Sequence, residues 1–402
     1  MLTILLVAGL AARAQDDAPP PPPPEGDFFS TSETGPTATA DEVPPPTAEQ
    51  PPAQTSEAER AALLDDVDSF LSTGPPPPAP TGPAASANSL NPGISAFGDM
   101  LASMAIQRGE IDPDSGPWLR SFEMDIRADV DPYAKAVAVL AVEQEPPTET
   151  GLGEPQFGAA PEEAYIDLVA LPAGFSARLG KFKLPFGIMN KMHSHDWPWP
   201  TAPLPYEQAL GPEGLNDTGG VVSWRGPVPF GLTFEGGVVS GTTFDPQGET
   251  AAPAWLGRVE VFQDFGDVDV GLGASAHGLG PDHILGGDLM FRWKKDSWHS
   301  VVLVSEFFDR NGENTVSEEH AGQVGVTNTL QIQPTRPVYI GLRADWTPDQ
   351  TRYAAYLSYY TTEFLRIRAG AETDDAFCEW LPTAQLTFVW GAHPVEPYWV
   401  NR

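Results

Sequence analysis

EMDIRADV, Glu123 to Val130, alternates charged and apolar residues with a period of two. In an extended chain successive side chains point to opposite faces, so Met124, Ile126, Ala128 and Val130 share one wall and Glu123, Asp125, Arg127 and Asp129 the other. Four full charges in a row on one wall restrict the surroundings. A soluble sandwich hides its apolar faces against a second sheet, whereas a transmembrane barrel turns them to lipid and keeps the polar set around water.

The same texture continues from about Asn91 to the end of the chain. It is clear in DVDVGLGA (Asp267–Ala274), VYIGLRADW (Val338–Trp346) and QLTFVW (Gln385–Trp390). About sixteen such segments, separated by turn signals, centre near Phe97, Met124, Val139, Leu168, Leu179, Val222, Leu232, Val259, Val270, Leu289, Leu303, Val326, Leu342, Leu357, Ile367 and Phe388. Each is roughly ten residues, enough to cross hydrocarbon when tilted. Aromatics gather near segment ends, at Trp118, Trp224, Trp255, Trp293, Trp298, Trp346 and Tyr359, as interfacial girdles require. No helical period of useful length runs through 89–402. The expected fold is all-β: a transmembrane antiparallel β-barrel of about sixteen strands, wide enough for an aqueous lumen.

The rest of the chain has a different character. Met1–Ala14 reads as a signal peptide, with a short apolar core and a small-residue cleavage pattern but no basic residue ahead of it. Residues 15–88 carry the runs Pro19–Pro24, Pro44–Pro46 and Pro75–Pro78 among acidic and small residues, too little apolar mass for a core. This Pro-rich acidic leader is expected to be disordered apart from one short helix at 56–71, where Ser56 and Glu59 fit a capping box. The barrel is expected to occupy 89–402. An even strand count leaves both of its ends in the periplasm, where the leader could dock a partner through Ser56–Leu71.

Fifty-five acidic residues against 22 basic give a net charge of −33, which argues against any nucleic-acid partner. With Cys378 as the one cysteine, neither an intramolecular disulfide framework nor a cysteine-based zinc cluster can form.

Between the strand ending near Lys183 and the next near Gly219 lies the longest connection, 184–218. Its Trp197, Trp199, Leu204, Tyr206 and Leu210 are wrong for a solvated loop and suit one folded inward to constrict the pore. Trp197 and Trp199, with Arg178, Lys181 and Lys183 from the preceding strand, are expected to line that constriction. His193 and His195 project to one side of an extended segment and, with Asp196, could ligate Zn²⁺; the plainer alternative is that they hydrogen-bond to the wall and fix the loop. Glu123, Asp125, Asp129, Asp267 and Asp269 point to cation preference. Arg343, Arg366 and Arg368 form an opposing basic patch, which either sets up a transverse field with those carboxylates or closes ordinary salt bridges.

NPGISAFGDM (Asn91–Met100), ARLGKFKLPFG (Ala177–Gly187) and NKMHSHDWPWP (Asn190–Pro200), with LGPEGLNDTGGVVSW (Leu210–Trp224), resemble porin-type outer-membrane barrels of Gram-negative bacteria. The resemblance is to the phosphate-selective porin group in general, and more closely to uncharacterised proteobacterial barrels labelled zinc-regulated outer-membrane receptors. It implies an outer-membrane passive channel for small hydrophilic solutes or ions, contacting lipid, with the loop inside the lumen and a homotrimeric assembly as one option. Two rival readings are a zinc-uptake receptor and a secreted soluble β-sandwich or adhesin. Catalysis finds no support, since no Ser/His spacing stands out and the strand glycines precede no helix.

Overall fold

The computed structural model describes residues 92–112, 115–145, 156–245, 252–312 and 323–391. The expected signal, the leader 15–88 and its helix 56–71 lie outside them. The described residues build a closed antiparallel sheet. Its long strands are β1 (Gly93–Ser103), β4 (Gly116–Asp131), β5 (Ala134–Gln144), β6 (Phe157–Leu168), β7 (Phe175–Lys183), β8 (Asn216–Arg225), β9 (Gly231–Val239) and β10 (Ala254–Asp264). They continue with β11 (Val268–Leu279), β12 (Asp282–Lys294), β13 (Ser300–Asn311), β14 (Gln323–Thr335), β15 (Val338–Trp346), β16 (Thr351–Thr362), β17 (Leu365–Asp374) and β18 (Glu379–Gly391). β18 pairs back onto β1, from Ser95↔Gly391 to Ser103↔Thr383, and the ring closes. Two short strands, β2 (Ile106–Gln107) and β3 (Glu110–Ile111), form a hairpin that extends the pairing at the start of β18. All sixteen segment centres read from the sequence fall within the sixteen long strands.

Closure leaves no facing sheet, which removes the sandwich. It also defines an inner face on which charged side chains are buried: Asp99, Glu123, Glu306, Asp345 and Arg368 are each at most 2% exposed. The outer face is apolar, with Leu272, Leu357, Ile367 and Val238 about half exposed. This inversion matches a barrel solvated by acyl chains outside. Exposed aromatics mark both rims, Phe175, Trp293, Tyr359 and Trp390 at one end and Trp255, Trp346, Tyr353 and Trp380 at the other. The connections at the first of these ends, which also holds Gly93 and Gly391, are short, from 336–337 up to 169–174. Longer ones leave the opposite end, including 145–156, 240–253 and 184–215.

Of the register shifts that interrupt the alternation, two β-bulges bear on the interior. On β6, Glu163 pairs with Val139 and Pro161 with Leu140, so Glu162 is an extra residue. On β4, Ser121 pairs with Asp99 and Leu119 with Met100, so Arg120 is extra. A bulge re-aims side chains, and both of these residues turn toward the interior.

Segment 184–215 supplies much of the interior packing. Leu184, Phe186, Met189, Trp197, Trp199, Tyr206, Leu210 and Leu215 form one apolar cluster with wall residues Phe182, Val221, Val239, Leu256, Ile284 and Phe308. The segment contains a seven-residue helix, α1 (Leu204–Leu210), which period reading did not anticipate. Pro205 in its first turn needs no amide partner there and presets φ, and Gly211 (φ 91°) ends it.

Candidate functional site

The inner wall grips the 184–215 segment from several directions, and backbone polarity explains much of the grip. A loop carried into a barrel brings amides and carbonyls that must find partners. Five arginines supply donors. Arg120 donates to the carbonyls of Ser194 (3.2 Å) and Pro200, and Arg366 to that of His195. Arg368 donates to Trp197 O (3.0 Å), Arg343 to Thr201 O (2.9 Å) and Arg310 to Ala209 O (3.0 Å). Loop amides find acceptors in turn: Ile188 N donates to Glu306 Oε1 (2.7 Å), Gly187 N to Ser275 Oγ (3.1 Å) and Leu204 N to Asp345 Oδ2 (3.0 Å).

The neck of the loop is tied by Asn190. Its Nδ2 donates to Leu184 O (2.8 Å) and Leu215 O (2.9 Å), while its Oδ1 accepts from Leu215 N (2.7 Å) and Tyr206 Oη (3.1 Å). Gly214 (φ 75°) lies beside this knot, where a Cβ would strike Tyr206 Oη and Asn190 Oδ1.

At the β4–β6 side the contact is between side chains. His193 Nε2 lies 3.1 Å from Glu163 Oε2, and its Nδ1 is 3.1 Å from Glu162 Oε1 and 3.4 Å from Glu123 Oε2. His195 Nδ1 is 3.1 Å from Glu123 Oε1, and its ring stacks on Phe97 at 4.4 Å. Lys183 Nζ reaches Glu162 Oε1 at 2.9 Å. Burial works to lower the pKa of both imidazoles. For His193 the contacts with Glu123, Glu162 and Glu163 outweigh it and hold the group well above the usual range. For His195 the charges of Glu123 and Asp196 do the same to a lesser degree. Glu123, Glu162 and His193 bring three donor atoms within 4.8 Å of one another, a set able to hold a metal ion.

The residues expected from the sequence distribute unevenly. Glu123, Asp125, Arg127 and Asp129 do share the inner phase of β4: their cross-strand partners in β5 are Ala141, Val139, Val137 and Lys135. Arg127 pairs with Asp125 at 2.7 Å. Arg178 faces inward, pairing with Asp167 at 2.7 Å and lying over the Tyr165 ring at 3.9 Å. Lys181 does not join it: three residues along a strand reverses the face, so Lys181 shares the side of the exposed Leu179 and donates to Pro161 O. Lys183 has the same phase but ends its strand, and it turns into the glutamate cluster. Trp197 and Trp199, expected at the constriction, are 3% exposed and packed: Trp197 edge-on to Tyr206 at 5.3 Å, Trp199 under Arg343 at 5.5 Å. Asp196 stands apart from the three-ligand set, 3.6 Å from His195 Nε2.

Arg343, Arg366 and Arg368 are committed to bonds with the wall and loop. Arg343 also bridges Asp345 (3.0 Å) and Glu372 (2.9 Å), and Arg368 also donates to Ser358 (2.8 Å) and Gln385 (2.7 Å). Sequence reading missed Glu162, Glu163, Arg120, Arg310, Glu306 and Glu372. The available signal for the first three was a lapse in alternation, in EEA at 162–164 and RSF at 120–122.

The chain matches no protein-family model. An uncharacterised protein of Aquifex aeolicus is 26% identical over 352 residues, spanning 73% of this chain and 72% of its own. Among solved structures, OprB of Pseudomonas putida superposes with a TM-score of 0.51 at 8% identity, over 75% of this chain and 95% of that one. Salmonella typhi OmpF, in a complex with daunomycin, gives 0.50 at 10% identity, over 76% and 99%. The fold is that of a porin-type barrel.

Proposed function

We propose that the protein is a porin-like channel of a bacterial outer membrane, passing small hydrophilic solutes or ions through a lumen narrowed by residues 184–218, of which 216–218 already belong to β8. The observation that carries this reading is the seating of the loop inside a sheet that is polar within and apolar without. A loop bonded to β4, β6, β13, β15 and β17 crosses the lumen and restricts flow. The route left to water runs past inward groups that keep solvent contact: the side chains of Arg127, Arg178, Lys191, Glu260 and Asp196 are 54%, 36%, 31%, 34% and 35% accessible. Lys191 and Glu260 pair across that route at 3.2 Å, from loop to β10. The chain's −33 charge makes the approaches negative and favours cations.

Planar-bilayer recording of the purified full chain tests the reading. Small, steady, cation-selective steps are expected in a salt gradient, and replacing 187–212 by a short Gly-Ser link should raise the step size several-fold. A protein that stays monomeric in buffer without detergent, or that gives no steps in either form, would overturn it.

A further inference from the structure

The cluster under His193 is constructed in a way that a mere loop anchor does not require. From it we infer that Glu123, Glu162 and His193 form a binding site for a divalent transition cation of the zinc type, joining the loop to β4 and β6.

The first argument is the assignment of atoms. Glu123 Oε1 is taken by Ser121 Oγ (3.0 Å) and His195 Nδ1 (3.1 Å), which leaves Oε2 facing His193. His193 Nε2 is taken by Glu163 Oε2 (3.1 Å), and Glu163 Oε1 is fixed in turn by the Lys183 amide (2.9 Å). A carboxylate on Nε2 sets the tautomer that bares the Nδ1 lone pair, the outer-sphere arrangement of histidine ligands. Nδ1 itself is sealed from solvent, and neither nearby carboxylate oxygen lies in line for a hydrogen bond with it. Two carboxylate oxygens and a ring nitrogen that converge without an aligned hydrogen bond are arranged as a cation's coordination sphere would be.

The second argument is distance. Ligands about 2.0–2.1 Å from a tetrahedral ion lie about 3.3 Å from each other. Nδ1 is 3.1 Å from Glu162 Oε1 and 3.4 Å from Glu123 Oε2. Lys183 also holds Glu162 Oε1, but a carboxylate oxygen has two lone pairs and can serve both.

The third argument is charge. Glu123, Glu162 and Glu163 bring three negative charges into a buried space, and Lys183 cancels one. A dication bound by Glu123 and Glu162 would cancel the other two. One imidazole nitrogen with two carboxylate oxygens suits zinc and its neighbours better than calcium, which takes six or more oxygens. The bulge on β6 makes the set possible, because it lets the consecutive residues Glu162 and Glu163 both reach one ring, the first as ligand and the second as its support.

The full chain, folded in detergent, would be equilibrated with zinc chloride, desalted and assayed for metal by mass spectrometry. About one equivalent should be retained. His193→Ala, Glu123→Gln and Glu162→Gln should abolish retention, and Glu163→Gln should weaken it about 10–100-fold, as loss of an outer-sphere partner does. Asp196→Asn should bind as wild type, and its failure to bind would move the ion off this site. Cobalt substitution gives a second readout: a d–d absorption in wild type that vanishes in His193→Ala. Unheated gel migration shows whether each variant has folded. Absence of retained zinc in wild type, or equal retention in His193→Ala, would overturn the site. The site rests on the loop's seat and not on solute flow, so conductance of the same preparation judges the channel reading separately.

Discussion

The two sides of the loop's seat use opposite chemistry. On β15 and β17 the wall presents arginines, and they bond the loop's backbone: Arg343, Arg366 and Arg368 take the carbonyls of Thr201, His195 and Trp197. On β4 and β6 the wall, Arg120 apart, presents glutamates, and they meet loop side chains, His193 and His195. A carbonyl is offered by every residue, so the arginine side fixes where the loop runs while asking little of its sequence. Imidazoles are specific, so the glutamate side depends on which residues the loop carries. The first side is a scaffold, and the second holds the proposed cation site.

That contrast can be broken most severely at Arg343. Arg343→Met would strip a buried charge from between Asp345 and Glu372, leaving Asp345 uncompensated and Glu372 with only the more distant Arg352 (3.8 Å), at a cost of about 3–5 kcal/mol. A large fall in the heat-modification temperature is expected, and no change would show that the arginine side carries little of the fold. Arg368→Ala is gentler, since its partners are Ser358, Gln385 and the Trp197 carbonyl and no carboxylate is orphaned. Charge-assisted bonds worth about 1.5–3 kcal/mol should be lost, and the population of unseated loops should rise about tenfold or more. Single-channel records would show this as added flicker, and unaltered records would detach the loop from gating. The smallest effect sharpens the role of strand phase. Arg178→Ala should shift the reversal potential toward cations, whereas Lys181→Ala, on the lipid-side phase, should leave it in place.

The barrel was legible because period two is enforced strand by strand: acyl chains on one side and water on the other tolerate few exceptions. The loop's inward course was legible from its tryptophans and prolines. What those tryptophans do was not. Trp197 and Trp199 pack against Tyr206 and Arg343, and sequence spacing cannot tell a packed aromatic from a pore-lining one. The metal reading grouped His193 with its neighbours in sequence, His195 and Asp196, whereas the structure groups it with Glu123 and Glu162. The actual companions come from strands tens of residues earlier. Glu162 was hidden further by its bulge, which spoils the alternation that would have assigned it a face. Arg120 was hidden in the same way. Lys181 is the converse error, a residue grouped with Arg178 by charge when counting along the strand puts them on opposite faces.

The arginine scaffold also has a consequence for assembly. Arg343 lies 142 residues after the carbonyl it holds, and Arg366 and Arg368 each lie 171 residues after theirs. The tether is therefore written early in translation order and its cleats late. A half-finished cylinder, lacking its last strands, has nothing on that flank to hold the strap. Seating is thus a mark of completion, acquired only when the final staves are in position.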